Sequence, residues 1–113
     1  MKHLHQRNIR IISELSGYLV RVGCNDMHID FNTIDNITHI IFTTTTNCIS
    51  EENLNELKKL LNLPRRKDIE EYYWELNGDD DFNSELSLIG MMTDSANITY
   101  DNNILEINLI RSL

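Results

Sequence analysis

The run Met27-His28-Ile29-Asp30-Phe31-Asn32-Thr33-Ile34-Asp35-Asn36-Ile37-Thr38-His39-Ile40-Ile41-Phe42-Thr43-Thr44-Thr45-Thr46 decides the fold. Met27, Ile29 and Phe31 alternate with His28 and Asp30, which predicts a strand with one buried face. Asn32 to Asn36 carries turn chemistry, and the β-branched stretch from Ile37 to Thr46 predicts a longer returning strand. This is a β-hairpin, and what lies on either side of it must supply the layer that covers its apolar face.

Upstream, Ile12, Leu15, Leu19 and Val22 recur at helical spacing, with Ile11 and Tyr18 widening the stripe. Residues from about 4 to 22 therefore form one amphipathic helix, stopped at Gly23. Gly17 inside it costs about 1 kcal/mol relative to Ala, which is tolerable if another backbone packs close by.

Downstream, Ser50 caps a helix whose first turn holds Glu51 and Glu52, and Leu54, Leu57, Leu60 and Leu61 form its apolar face. Leu63-Pro64 ends it. A further helix is expected from about Lys67 to Leu76, closed by Asn77-Gly78 and followed by the acidic loop Asp79-Asp80-Asp81. Ser84 caps a short helix to about Thr93, apolar nearly all round at Leu86, Leu88, Ile89, Met91 and Met92 and so expected to be buried. Ile98 and Tyr100 mark a strand, Asp101-Asn102-Asn103 a turn, and Leu105, Ile107 and Leu109 alternate along a last strand.

Helix and hairpin thus occur at both ends of the chain. The expected architecture is a single α+β domain over residues 1–113: a two-layer sandwich whose four-stranded sheet is built from two β-hairpins and covered on one face by helices.

At 113 residues, 41% of them hydrophobic, the chain can bury roughly 65% of its unfolded surface in one modest core. Ten Lys plus Arg against 18 Asp plus Glu give a net charge of -8. That balance repels nucleic acid and anionic lipid, so neither is expected as a partner. Arg65-Arg66-Lys67, the single basic cluster, reads as a solvated loop. Met1 to His5 leads into a polar segment with no apolar run, and no stretch reaches the ~20 apolar residues of a membrane span. Cys24 and Cys48 lack a C-x-x-C spacing and make a poor disulfide framework. A cytoplasmic protein with reduced thiols is expected.

His28 and His39 sit in the first hairpin, where facing positions could bring two imidazoles together, but no Cys or carboxylate spacing completes a metal site. Asp79-Asp80-Asp81 lacks the Gly and distal Glu of a calcium loop. Glu14 and Asp26 have acid-base chemistry without a nucleophile and orienting group beside them. No cofactor is expected. Tyr72, Tyr73 and Trp74 cannot all face one core from a single helix, so this segment is the candidate interaction surface for a protein partner or a second copy of the chain.

The order helix, hairpin, helical middle, short helix, hairpin resembles the ATPase fold shared by gyrase, histidine kinases, mismatch-repair proteins and anti-sigma kinases, the GHKL superfamily. The resemblance covers residues 11–54 and 84–111. It implies a nucleotide pocket whose required residues can be checked. Where the family's first helix carries an acid and, four residues on, a magnesium-ligating Asn, this chain has Glu14 and Tyr18, and a phenol is a poor magnesium ligand. Where the family has Asp-x-Gly-x-Gly, Thr44 stands for the Asp and Thr46 and Cys48 for the glycines. Where a glycine-rich turn cradles phosphate, Glu85-Leu86-Ser87 opens a helix, and the Glu85 carboxylate would oppose phosphate at the helix N-terminus. Met92-Thr93-Asp94 and the closing hairpin look closest to the anti-sigma kinase branch.

The expected function is a non-catalytic regulatory or protein-interaction module on a histidine-kinase-like fold whose nucleotide site is lost. The alternatives are a nucleotide-binding ATPase or kinase with unorthodox motifs, using Glu14 as base, and a small structural partner with no family tie.

Overall fold

The computed structural model describes residues 4–47, 49–66, 68 and 82–112. Its elements are α1 (Leu4–Arg21), β1 (Met27–Ile34), β2 (Ile37–Thr45), α2 (Glu51–Leu60), α3 (Phe82–Met91), β3 (Ser95–Asp101) and β4 (Ile104–Ser112). The helix expected between Lys67 and Leu76 falls outside the described residues, apart from Asp68.

Both hairpins close through two-residue turns. Asp35 and Asn36 take φ of 52° and 67°, and Asn102 and Asn103 take 52° and 63°. Positive φ at both central residues is the type I′ turn, whose twist matches that of the flanking strands, and Asn and Asp tolerate it best after Gly. The first turn is tighter than the sequence suggests: Asn32, Thr33 and Ile34 extend β1, with Ile34 facing Ile37.

The strands form one antiparallel sheet in the order β1-β2-β4-β3. Its centre is the β2–β4 ladder, running from Ile37 opposite Ser112 to Thr45 opposite Ile104. The two hairpins therefore meet along their second strands. Ile40, Phe42, Leu105, Ile107 and Leu109 are buried on one face, where Ile11, Leu15, Leu19, Leu57, Leu61, Leu86 and Ile89 of the helices complete the core. This is an α+β arrangement in which helices cover one face of a four-stranded antiparallel sheet.

Several expectations change. The helix near residue 84 begins at Phe82, so Ser84 lies inside the first turn of α3 instead of capping it. β1 has no buried face: after half-buried Met27 every residue to Ile34 is exposed. Ile29 and Phe31 lie opposite Phe42 and Ile40 and so share the core-facing side, but at 39% and 43% exposure they sit beyond the helical cover. Among the described residues, no backbone outside its own helix lies against Gly17, only the Arg21 guanidinium 3.6 Å from where a Cβ would stand. Gly90 is the close-packing glycine, because a Cβ there would strike the Leu60 carbonyl.

The Ser50 cap is as expected: its Oγ accepts from Asn53 N at 3.0 Å. Gly23, with φ of 107°, ends α1.

Arg65 is not part of a solvated loop. Its Nη1 donates to the Ser112 carbonyl at 2.6 Å and to Asp94 Oδ2 at 3.2 Å. Asp94 Oδ2 also accepts from Ser112 N at 2.6 Å and from Ser112 Oγ at 2.7 Å. These bonds tie the segment after α2 to the start of β3 and the end of β4.

Candidate functional site

Each position that the family resemblance nominates can be followed from its element upward. Glu14 is half-buried on α1, 3.9 Å from Arg10 Nε one turn earlier. Tyr18, one turn on, is turned into the core at 2% exposure. Its phenol is pushed up to about 12, chiefly by burial and then by the nearby Glu56 carboxylate of α2. A phenol held protonated against a carboxylate is a packing and hydrogen-bonding group, with no character as a magnesium ligand at neutral pH. Cys24, a buried thiol, adds to the upward push on Tyr18.

Thr44 stands on the inner face of β2, between Met27 and Leu105 of the neighbouring strands. At 1% exposure it faces the interior, and its Oγ1 has no hydrogen-bond partner among the described residues. Thr46 is also buried. Its main-chain groups are already bonded to the second hairpin: its N–H donates to the Asn103 carbonyl at 2.7 Å, and its carbonyl accepts from the Tyr100 hydroxyl at 2.8 Å. Thr46 is not among the residues with positive φ, so the freedom glycine would bring at this position is not used.

On the opposite helix, Glu85 lies in the first turn of α3, and Ser87 is half-buried two residues on. Cys48, Tyr72, Tyr73 and Trp74 lie outside the described residues. The structure thus turns Tyr18 and Thr44 into the interior and ties Thr46 to the far hairpin, while Glu14 stays at the surface of α1.

The two histidines of the first hairpin do not face each other. His28 lies opposite Thr43 and His39 opposite Asn32. Among the described residues, no three His, Cys, Asp or Glu side chains gather where a metal ion could be held. No helix among them is long and apolar enough to cross a membrane.

One polar cluster escaped the sequence reading. Arg7, Asn8 and Arg111 are all buried at 2% exposure or less. Arg111 Nε donates to Asn8 Oδ1 at 2.8 Å, and its Nη1 donates to the Met92 carbonyl. A guanidinium so placed joins the N-terminal helix, the end of α3 and the last strand through charge-assisted bonds. The signal was in the alternation, since Arg111 continues the inward parity of Leu105, Ile107 and Leu109.

Compared with known proteins, the chain matches no protein-family profile and no curated sequence.

Proposed function

We propose that this protein is a non-catalytic regulatory or protein-interaction module on a GHKL-like scaffold that has no working nucleotide site. The observation that carries the reading is the filling of the positions where that family meets its nucleotide. Tyr18 and Thr44 are core side chains at 2% and 1% exposure. A nucleotide would have to displace the phenol and break the main-chain bonds of Thr46 to the second hairpin, each loss leaving a buried polar group unpaired at about 1–3 kcal/mol.

A thermal-shift titration with magnesium and ATP, ADP or GTP tests the reading. No change in melting midpoint is expected. A ligand at 100 times its dissociation constant stabilises by about 2.7 kcal/mol, which for a domain of this size raises the midpoint by roughly 10 °C. A rise of that order with any of the three would overturn the proposal in favour of a nucleotide-binding ATPase or kinase.

A further inference from the structure

β1 and β3 are the two edges of the sheet, and they are protected differently. In a two-residue hairpin the residues flanking the turn exchange main-chain hydrogen bonds, and every second residue from there does the same. In the second hairpin Asp101, Thr99, Asn97 and Ser95 therefore face β4, and Tyr100, Ile98 and Ala96 face outward. Ala96 obeys this: its N–H donates to Asn62 Oδ1 beyond the C-terminal end of α2, at 3.3 Å. That edge is partly capped.

By the same alternation, the main-chain groups of Met27, Ile29, Phe31 and Thr33 point away from β2. Among the described residues, no hydrogen bond on that side engages them. β1 also lacks the usual protections of an edge. It has no Lys, Pro or Gly, and its register with β2 is continuous from Met27 to Ile34, without a bulge. Beside the unpaired groups stand the exposed side chains of Ile29 and Phe31.

We infer that the occupant of this edge is the β1 strand of a second copy, paired antiparallel about a two-fold axis through Ile29 to give one eight-stranded sheet. This rests on the reading of the chain as an interaction module and names its partner. The polar complementarity of His28 and Asp30 sets the register. With Ile29 opposite its own copy, His28 lies opposite the partner's Asp30 and Asp30 opposite the partner's His28, both on the polar face. On the other face Met27 meets the partner's Phe31, covering the apolar side chains that the helices leave bare. The outward main-chain groups of residues 27, 29 and 31 then face one another as hydrogen-bonded pairs. Sliding the strands by one step sets Asp30 against Asp30 in one direction, where directly opposed like charges are unfavourable, and His28 against His28 in the other, where both His–Asp contacts are lost. Two chains of charge -8 repel at long range, but at 0.15 M ionic strength that repulsion is screened beyond about 8 Å.

A single strand pair makes a small interface, so self-association is expected in the micromolar range. Sedimentation velocity at 0.15 M salt, from about 1 to 500 μM, should show the mass rising from monomer to dimer. Asp30→Lys removes both His–Asp contacts and should raise the dissociation constant about tenfold, while His28→Asp combined with Asp30→Lys, which sets Asp opposite Lys, should restore it. Opposed residues in a hydrogen-bonded pair have Cα atoms about 5.5 Å apart, within disulfide range. Ile29→Cys should therefore oxidise to a covalent dimer beyond the wild-type background. Phe31→Cys, whose copies lie roughly 14 Å apart in this register, should not. Monomer at every concentration, no added cross-link from Ile29→Cys, or equal cross-linking from Phe31→Cys overturns the inference. Failure here leaves the absence of nucleotide binding standing, because the thermal-shift titration reads that separately.

Discussion

Two glycines in two helices invite the same substitution and should answer it with opposite signs. Gly90→Ala removes a residue that costs α3 about 1 kcal/mol of helix propensity. On propensity alone the variant would be more stable. Its new Cβ, however, would fall inside any allowed separation from the Leu60 carbonyl oxygen, and would lie 3.1 Å from the Leu60 carbonyl carbon and 3.2 Å from Leu61 Cα. All three are backbone, so no side chain can swing aside, and α2 and α3 must part by about 1 Å. The movement opens the seam around Leu57, Leu61, Leu86 and Ile89, all at 1% exposure or less. Overpacking of this kind costs typically 1–3 kcal/mol and more when backbone must shift. The net expectation is a loss of about 2 kcal/mol, a fall in melting midpoint of about 8 °C. Gly17→Ala is the control, because only the flexible Arg21 side chain lies near, at 3.6 Å. It should gain up to about 1 kcal/mol. Thermal and urea unfolding followed by helical circular dichroism would measure both. If Gly90→Ala matched or exceeded wild type, the close α2–α3 packing would be wrong.

Thr44→Val replaces a buried hydroxyl, unpartnered among the described residues, with a methyl of similar shape and should stabilise by about 1 kcal/mol in urea unfolding; a comparable loss would mean that the hydroxyl is bonded. Burial alone would raise the Asp94 carboxyl, but the hydrogen bonds from Ser112 and the Arg65 guanidinium together bring it below its ordinary value. That stabilisation is therefore complete above the unfolded value of about 3.9 and is lost as pH falls through the lower folded value. Asp94→Asn should lower stability at pH 7 and flatten the acid limb below about pH 4; an unchanged acid limb would refute the assignment.

The hairpins and the apolar stripe of α1 could be read from the chain because each follows a local period. Residues Asn102 and Asn103 announce their turn, and Leu105, Ile107 and Leu109 their buried face. The bareness of β1 could not be read, since alternation divides a strand into two faces without saying whether a helix reaches over either. Ser84 misled for a related reason: a good capping residue does not become a cap when the preceding turn is already helical. That Gly90, and not Gly17, packs against backbone could not be read either, because proximity between α2 and α3 depends on tertiary packing, which no local window contains. At the candidate site, the departures of Tyr18, Thr44 and Thr46 from the pattern the chain resembles were legible as residue types. That Tyr18 would become part of the core, and that the Thr46 main chain would be bound by Tyr100 and Asn103, followed only from the assembled sheet.

The β2–β4 ladder has a kinetic consequence. Each hairpin closes over two residues and can form within about 1–10 μs, but the ladder between them joins Ile37–Thr45 in the first half of the chain to Ile104–Ser112 in the last strand. Its closure must bear the entropy of the whole intervening loop before any of its contacts form. The inner faces of both hairpins stay wet until that moment, so neither half can complete the core alone. The molecule should behave as one cooperative unit whose slowest folding event is the meeting of its two halves; among the strand amides of the monomer, those of β2 and β4 should be the last to exchange with solvent and those on the outer side of β1 the first.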